Sequence, residues 1–232
     1  ADAVRIFTAA HPAVEDVLYV TAPPHILLQT LIAGRLVLGN LVLSLRPDAL
    51  ISPRPILDEL HRKGCIGPPS HFASSCGTAI LVRKGNPRAI RSIGDLLRSD
   101  VRLALSNPVT EAASFAVYCA AVVTAADALG LPQQAIVERL RGDGVVKSQV
   151  IHHREIPALI VSGCADASLV YSHLALRYVR AFPDIFEQIE ATSGPSTDFA
   201  VSLVDRGGAF GPQFLEVMLS ADVGAVYRSH GL

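Results

Sequence analysis

Hydrophobic and polar positions alternate along this chain in two periods, and the switches between them outline its elements. Short runs rich in β-branched residues predict strands at 4–8, 17–21, 41–45, 49–51 and 78–83. Further strands are expected at 101–105, 145–150, 168–171 and 199–204, while 185–189 fits neither period cleanly. Apolar residues at helical spacing predict helices at 25–33, closed by Gly34, and at 55–63, closed by Gly64. Ser92 announces a short helix at 93–98, and the Ser106-Asn107-Pro108 turn precedes a long one at 110–129. Shorter helices follow at 132–141, 156–162, 174–180 and 212–220, the last continuing toward Arg228. Residues 64–75 read as loop from their Gly, Pro and Ser content. Strands interleaved with helices imply an α/β architecture of mixed, mostly parallel sheets flanked by helices.

Half of the 232 residues are hydrophobic and only 18% are charged, so the chain must collapse around a core. A formal net charge of -1 leaves no basic stripe for phosphates, and nucleic acid is not an expected partner. The longest apolar run, 112–126, stops at Asp127, short of the roughly 18–20 residues a membrane span needs, and reads as a buried helix. The four cysteines show no CxxC and no zinc spacing. Cys65 and Cys76 flank the predicted loop and suit a disulfide in an oxidising compartment, whereas Cys119 and Cys164 read as buried small hydrophobes. GxSxG, HExxH, P-loop and GxGxxG are all missing, so no motif points to an enzyme or a cofactor.

In open α/β folds, ligands sit outside the carboxyl ends of strands, where helix N-termini offer free N–H groups. Polar segments fall at such places in 8–11, 21–25, 106–114, 151–154 and 171–172. Four stretches add a family likeness: Asp48-Ala49-Leu50-Ile51-Ser52, Val101 through Pro108 (VRLALSNP), Ala167 through Ser172 (ASLVYS) and Ala225 through Leu232 (AVYRSHGL). In order and spacing, from about residue 17 onward, the chain resembles the periplasmic molybdate-binding proteins, the solute receptors of ABC importers. The resemblance implies a type II two-lobed fold, one lobe from 1–80 plus 197–232, the other from 81–196, with the ligand cleft between them. It also implies a mature periplasmic monomer, its signal peptide removed before Ala1, that binds a small inorganic ligand, delivers it to a membrane permease and catalyses nothing.

The family holds its oxyanion with neutral donors, and the resemblance carries them over one by one. The first serine falls on His11, the second serine loop on Ala22-Pro23-Pro24-His25, and the alanine amide on Ala113 beside Ser114. The valine amide falls on His153 and the tyrosine on Tyr171. Prolines have removed N–H donors and histidines have replaced serines, which opens two chemistries. Protonated or N–H-donating imidazoles would hold a molybdate- or tungstate-like oxyanion, the reading ranked first. Neutral imidazoles of His11, His25 and His153 would instead hold Ni, Zn or Cu. His152 and His153, adjacent in an extended segment, would point to opposite sides, and register selects His153. Glu111 reads as a charge complementing the dipole of the long helix, and Arg154 with Glu155 as a solvated pair. His61, His71, His173 and His230 read as surface or loop residues. An enzyme or a sensor domain on the same bilobal fold stands as a rival; each needs a further feature, a paired nucleophile and base or an attached DNA-binding motif.

Overall fold

The computed structural model describes residues 2–22, 24–75, 77–191 and 196–232, without the side chains of Pro24, His25 and Leu38. Along the chain the elements run α1 (Asp2–Ala10), α2 (Pro24–Ala33), β1 (Leu36–Leu38), β2 (Leu41–Leu43), β3 (Ala49–Pro53), α3 (Arg54–Arg62), β4 (Ser70–Ser75) and β5 (Thr78–Arg83). After a 3-10 turn at Ile93–Leu97 come β6 (Leu103–Leu105), α4 (Ala112–Ala128), α5 (Gln133–Arg141), β7 (Val146–Lys147), α6 (His152–Val161), β8 (Ala167–Tyr171) and α7 (Ser172–Ala181). The chain ends with β9 (Phe186–Ala191), β10 (Thr197–Leu203), α8 (Gly211–Met218) and α9 (Ala221–Ser229). Two compact units share it: Ala1–Ser74 with Thr197–His230 and Leu232, and Ser75–Ser196 with Gly231.

In the first unit β10 lies between β3 and β4, antiparallel to β3 with Val201 opposite Ile51. Leu50, Leu57, Leu60 and Ala200 pack into one cluster, and Val201, Met218 and Val223 into another. The strand expected at 4–8 is part of helix α1: Ala3 and Ile6 pack on the second cluster, and the Phe7 ring meets Phe214 edge-on at 5.2 Å. Their three-to-four spacing overrides the local alternation. The strand expected at 17–21 does not form; Leu18 and Tyr19 are exposed, and the Asp16 carboxylate takes the Val17 N–H at 2.7 Å. Inside the predicted loop, β4 is a strand that its polar SHFASS sequence disguises. Gly208, at φ +63°, lies so close to Asp48 that a Cβ would run into the carboxylate.

The second unit is built on the strand order β7-β6-β8-β5-β9. The parallel pairs are β6 with β7 and β6 with β8; β5 runs antiparallel to β8 and to β9. The sheet is therefore mixed, with its parallel pairs confined to the strands linked by helical crossovers. Alternation along β5 sends Ile80 and Val82 into a cluster with Leu103, Leu169, Phe115 and Val122, and Ala79 and Leu81 into one with Ile156, Ile160 and Val170. Both faces are apolar because helices cover both. Helix α4 covers the apolar run but buries only one face, through Phe115, Tyr118, Ala121, Val122 and Ala126, and leaves Ala112, Ala113, Ala116, Ala120 and Thr124 exposed. No helix among the described residues is long and apolar enough to cross a membrane.

The strand expected at 145–150 shrinks to two residues because the N–H groups of Gln149, Val150 and Ile151 go to the Glu155 carboxylate at 2.8, 2.6 and 2.7 Å. The same carboxylate starts α6 four residues earlier than expected. The ambiguous 185–189 stretch belongs to strand β9. Cys164 is exposed rather than buried, at the turn between α6 and β8, and Cys119 is half-buried. Cys76, the proposed partner of Cys65, lies outside the described residues.

Candidate functional site

At one edge of the second unit's sheet, the ends of β6, β7 and β8 meet the start of β5, because β5 is antiparallel and Thr78 pairs with Tyr171. The turn from β6 into α4 is tied to the end of β7. Asn107 accepts the N–H groups of Val109 and Thr110 at 2.8 and 3.3 Å, and its own N–H donates to Ser148 Oγ at 3.0 Å. Ser148 in turn donates to Glu111 Oε2 at 2.6 Å, and the same oxygen accepts the His152 N–H at 2.9 Å. The start of α6 is thus filled by the chain's own carboxylates, Glu111 and Glu155. Burial raises the Glu155 carboxyl, but its three N–H donors outweigh that and hold it below the usual carboxylate range.

The start of α4 differs. Glu111 precedes the helix without capping it, and the first intrahelical bond runs from Phe115 N–H to Glu111 O at 3.0 Å. Ala112, Ala113 and Ser114 therefore carry the amides that an α-helix leaves without an internal acceptor. Ser114 Oγ folds back onto Glu111 O at 3.1 Å, and Ala113 is exposed. Close in sequence, between β6 and this helix, Ser106 is fully buried, and its hydroxyl has no partner among the described residues. The hydroxyl of Thr78, 2% exposed at the start of β5, is in the same condition. Buried hydroxyls are normally satisfied, and those of Ser106 and Thr78 are two exceptions among the described residues.

Aromatic and imidazole rings adjoin this edge. Tyr118 lies 5.2 Å from His152 and 5.3 Å from Tyr171, and Tyr171 stacks on His173 at 5.6 Å. His173 Nδ1 meets Ser75 Oγ at 2.8 Å. His152 is buried; its Nε2 lies 3.0 Å from Ser168 Oγ, whose single proton goes to Ala104 O at 2.8 Å. Ser168 therefore accepts from His152, and this imidazole is a neutral strut protonated at Nε2. Burial, reinforced by His153, lowers His152 to about 3 and His173 to about 4. Burial also lowers His153, with Arg154 and Arg177 adding to the effect. Burial thus disfavours the protonated form of all three imidazoles at this edge.

Of the expected site residues, the structure places Ala113 and Ser114 at the start of α4, His153 in the first turn of α6, and Tyr171 at the end of β8. His152 and His153 are helical rather than extended, so they do not point to opposite sides as expected; His152 turns inward. His11 belongs to the first unit, where its N–H closes α1 on Phe7 O at 3.0 Å and its ring packs on Phe7 at 5.0 Å. His25 starts α2, and its side chain lies outside the described residues. No group of three or more His, Cys, Asp or Glu residues among the described ones is arranged to hold a metal. Sequence reasoning passed over Thr78 and Ser148, included Ser106 only as the start of the 106–114 segment, and read His173 as a surface or loop residue. Only Ser106 left a signal, since it directly follows a strand.

The whole chain, residues 1–232, matches the bacterial extracellular solute-binding protein family, and it belongs to that family. No curated protein matches it in sequence. Among solved structures, it is similar to the sulfate-binding protein SubI of Mycobacterium tuberculosis H37Rv, with TM-score 0.73 and 18% identity over 99% of this chain and 80% of that one. It is also similar to the periplasmic molybdate-binding protein of Azotobacter vinelandii, with TM-score 0.66 and 15% identity over 98% of this chain and 92% of that one. Iron-bound HitA of Pseudomonas aeruginosa aligns with TM-score 0.65 and 11% identity over 98% and 79% of the two chains. The fold is the type II periplasmic-binding-protein fold, and these neighbours show that it accepts anions and metal alike.

Proposed function

We propose that this protein is the periplasmic solute receptor of an ABC importer, acting as a monomer and without catalysis, and that it captures a small tetrahedral oxyanion. Sulfate- and molybdate-binding neighbours support that ligand class. The observation that carries it is the α4 N-terminus without a side-chain cap directly after β6, in the unit that also buries the unpartnered hydroxyls of Ser106 and Thr78. The amides of Ala113 and Ser114 and the Tyr171 hydroxyl complete the donor set, and a helix N-terminus favours negative charge. Unlike the expected imidazolium site, this one uses neutral donors. His153 serves as a neutral neighbour, and His11 and His25 hold no ligand in this reading. The loaded protein then docks on its membrane permease.

The test is a titration of ligand-free protein with molybdate, tungstate, sulfate, inorganic phosphate, Ni and Zn, followed by calorimetry and thermal unfolding. Binding of at least one oxyanion is expected, and Tyr171→Phe and Ser106→Ala should each weaken it by about tenfold, the worth of one hydrogen bond to a charged group. Binding of a metal alone, or of none of these solutes, would overturn the reading.

A further inference from the structure

Helix α2 of the first unit is apolar on every side, with Gln29 and Thr30 the only polar residues after His25. A helix of that kind is normally enclosed. Among its described side chains, however, only Thr30 and Leu31 are buried, and Ile32 is 75% exposed. An open groove of about 350 Å³ lies where α2 meets β1, lined by Ile26, Ile32, Ala33 and Val37 together with Gln29, Thr30 and Arg35. Val37 pairs with Val42 across the β1–β2 hairpin, and both are at least half exposed, as is Leu41 beside the turn. The apolar surface therefore passes from the groove onto the hairpin. From residue 17 to residue 47 the chain has no Asp or Glu, against 21 in the whole sequence, and its only charges are Arg35 and Arg46. Arg46 faces Asp205 at 3.2 Å, whereas Arg35 has no acidic partner among the described residues.

We propose that this α2–β1–β2 face is a docking surface for an anionic lipid bilayer, with Ile32, Val37 and Val42 toward the acyl chains and Arg35 on a headgroup phosphate. Charge decides between the occupants. A second copy of the same face would bring basic and apolar groups against their like, with no acid in the segment to answer Arg35. Anionic headgroups supply that charge, and the chains beneath them take up the apolar surface. The two-stranded hairpin has outer edges whose backbone groups need water or headgroups, so the face rests in the interface and does not cross the membrane. One unpaired arginine and a patch of this kind give weak, reversible attachment. A receptor held this way meets its permease by moving in the membrane plane, whichever solute it carries.

The test is flotation of the full chain with vesicles of phosphatidylcholine alone and of phosphatidylcholine with about one-third phosphatidylglycerol. The wild-type chain should bind the anionic vesicles at least about fivefold more tightly than the neutral ones, and added salt should release it. Arg35→Gln should weaken binding to the anionic vesicles by about fivefold, the worth of one basic residue near such a surface, and leave the neutral ones unaffected. Ile32→Asp and Val42→Asp, at exposed positions, should each abolish flotation with both. A wild-type chain that does not float with anionic vesicles overturns the proposal, even if every variant fails to fold. Equal binding to both vesicle types overturns it as well, as does an Arg35→Gln variant with a wild-type melt and an unchanged preference. A wild-type chain that sediments as a dimer and leaves both vesicles alone also overturns it, because a second copy then covers the face.

Discussion

His152 and His173 lose affinity for protons on folding because burial takes an imidazolium out of water, and His153 adds to the cost in both. Their unfolded forms take up a proton near the ordinary histidine value of 6.5, their folded forms near about 3 and about 4. Below 6.5 the unfolded chain therefore binds more protons than the folded one, and stability, complete above that value, falls with pH toward 4. Each site contributes at most about 1.4 kcal/mol per pH unit inside this window. Thermal midpoints should drop between about pH 7 and pH 5, and His173→Gln should flatten that slope; an unchanged slope would remove His173 from the account. Sequence alone assigned His173 to the surface, since residue order does not show that its ring stacks on Tyr171, two residues earlier at the end of β8, and is buried there. For His152, His153 and His173 the residue type was legible in the sequence and the desolvation was not.

Helix α6 shows how an element can carry an irregular sequence. Pro157 sits inside it and has no N–H, so the carbonyl of His153, four residues back, lacks its helical donor. The Tyr178 hydroxyl, from α7, donates to that carbonyl instead. Tyr178→Phe should therefore destabilise the protein by about 1–2 kcal/mol, the cost of an unsatisfied buried acceptor. The loss should shrink in a Pro157→Ala background, where a backbone N–H returns; equal losses in both backgrounds, read by chemical denaturation, would refute the pairing. The start of α6 was missed because its cap comes from a glutamate within the helix rather than from a Ser or Thr before it. Where the cap follows the usual pattern, as with Ser92 and Asp95 at the 3-10 turn, the boundary was readable from sequence. Strand β4 was hidden by serines and a histidine that tolerate a sheet without advertising one.

Over the whole molecule, the family was legible because four short stretches stood in the right order and spacing, each marking a strand end or the last helix. The proposed donors were less legible, since Thr78 and Ser106 stand out through burial and an unpartnered hydroxyl, neither of which a single sequence displays. The two units also differ in how they are written. One is a continuous stretch, Ser75–Ser196 apart from Gly231; the other is interrupted by it. With its own apolar clusters on both faces of the sheet, a fragment spanning 75–196 should unfold cooperatively on heating, whereas one spanning 1–74 should not. A non-cooperative melt of the longer fragment, followed by circular dichroism, would contradict this. Gly208→Ala should lower the thermal midpoint of the full chain, because a left-handed backbone and the Asp48 carboxylate both oppose a methyl group there.

Strand β10 supplies the middle of the first unit's sheet, and it pairs Phe199 with Pro53 across the entire second unit. During translation, β3 and β4 leave the ribosome long before the strand that must separate them has been made. The nascent first unit thus waits with two strands that have no ladder between them, while the second is able to close. Protease nicking of stalled chains should concentrate before residue 75 until the segment through Leu203 has emerged. Such a chain stays open longest at its leading end.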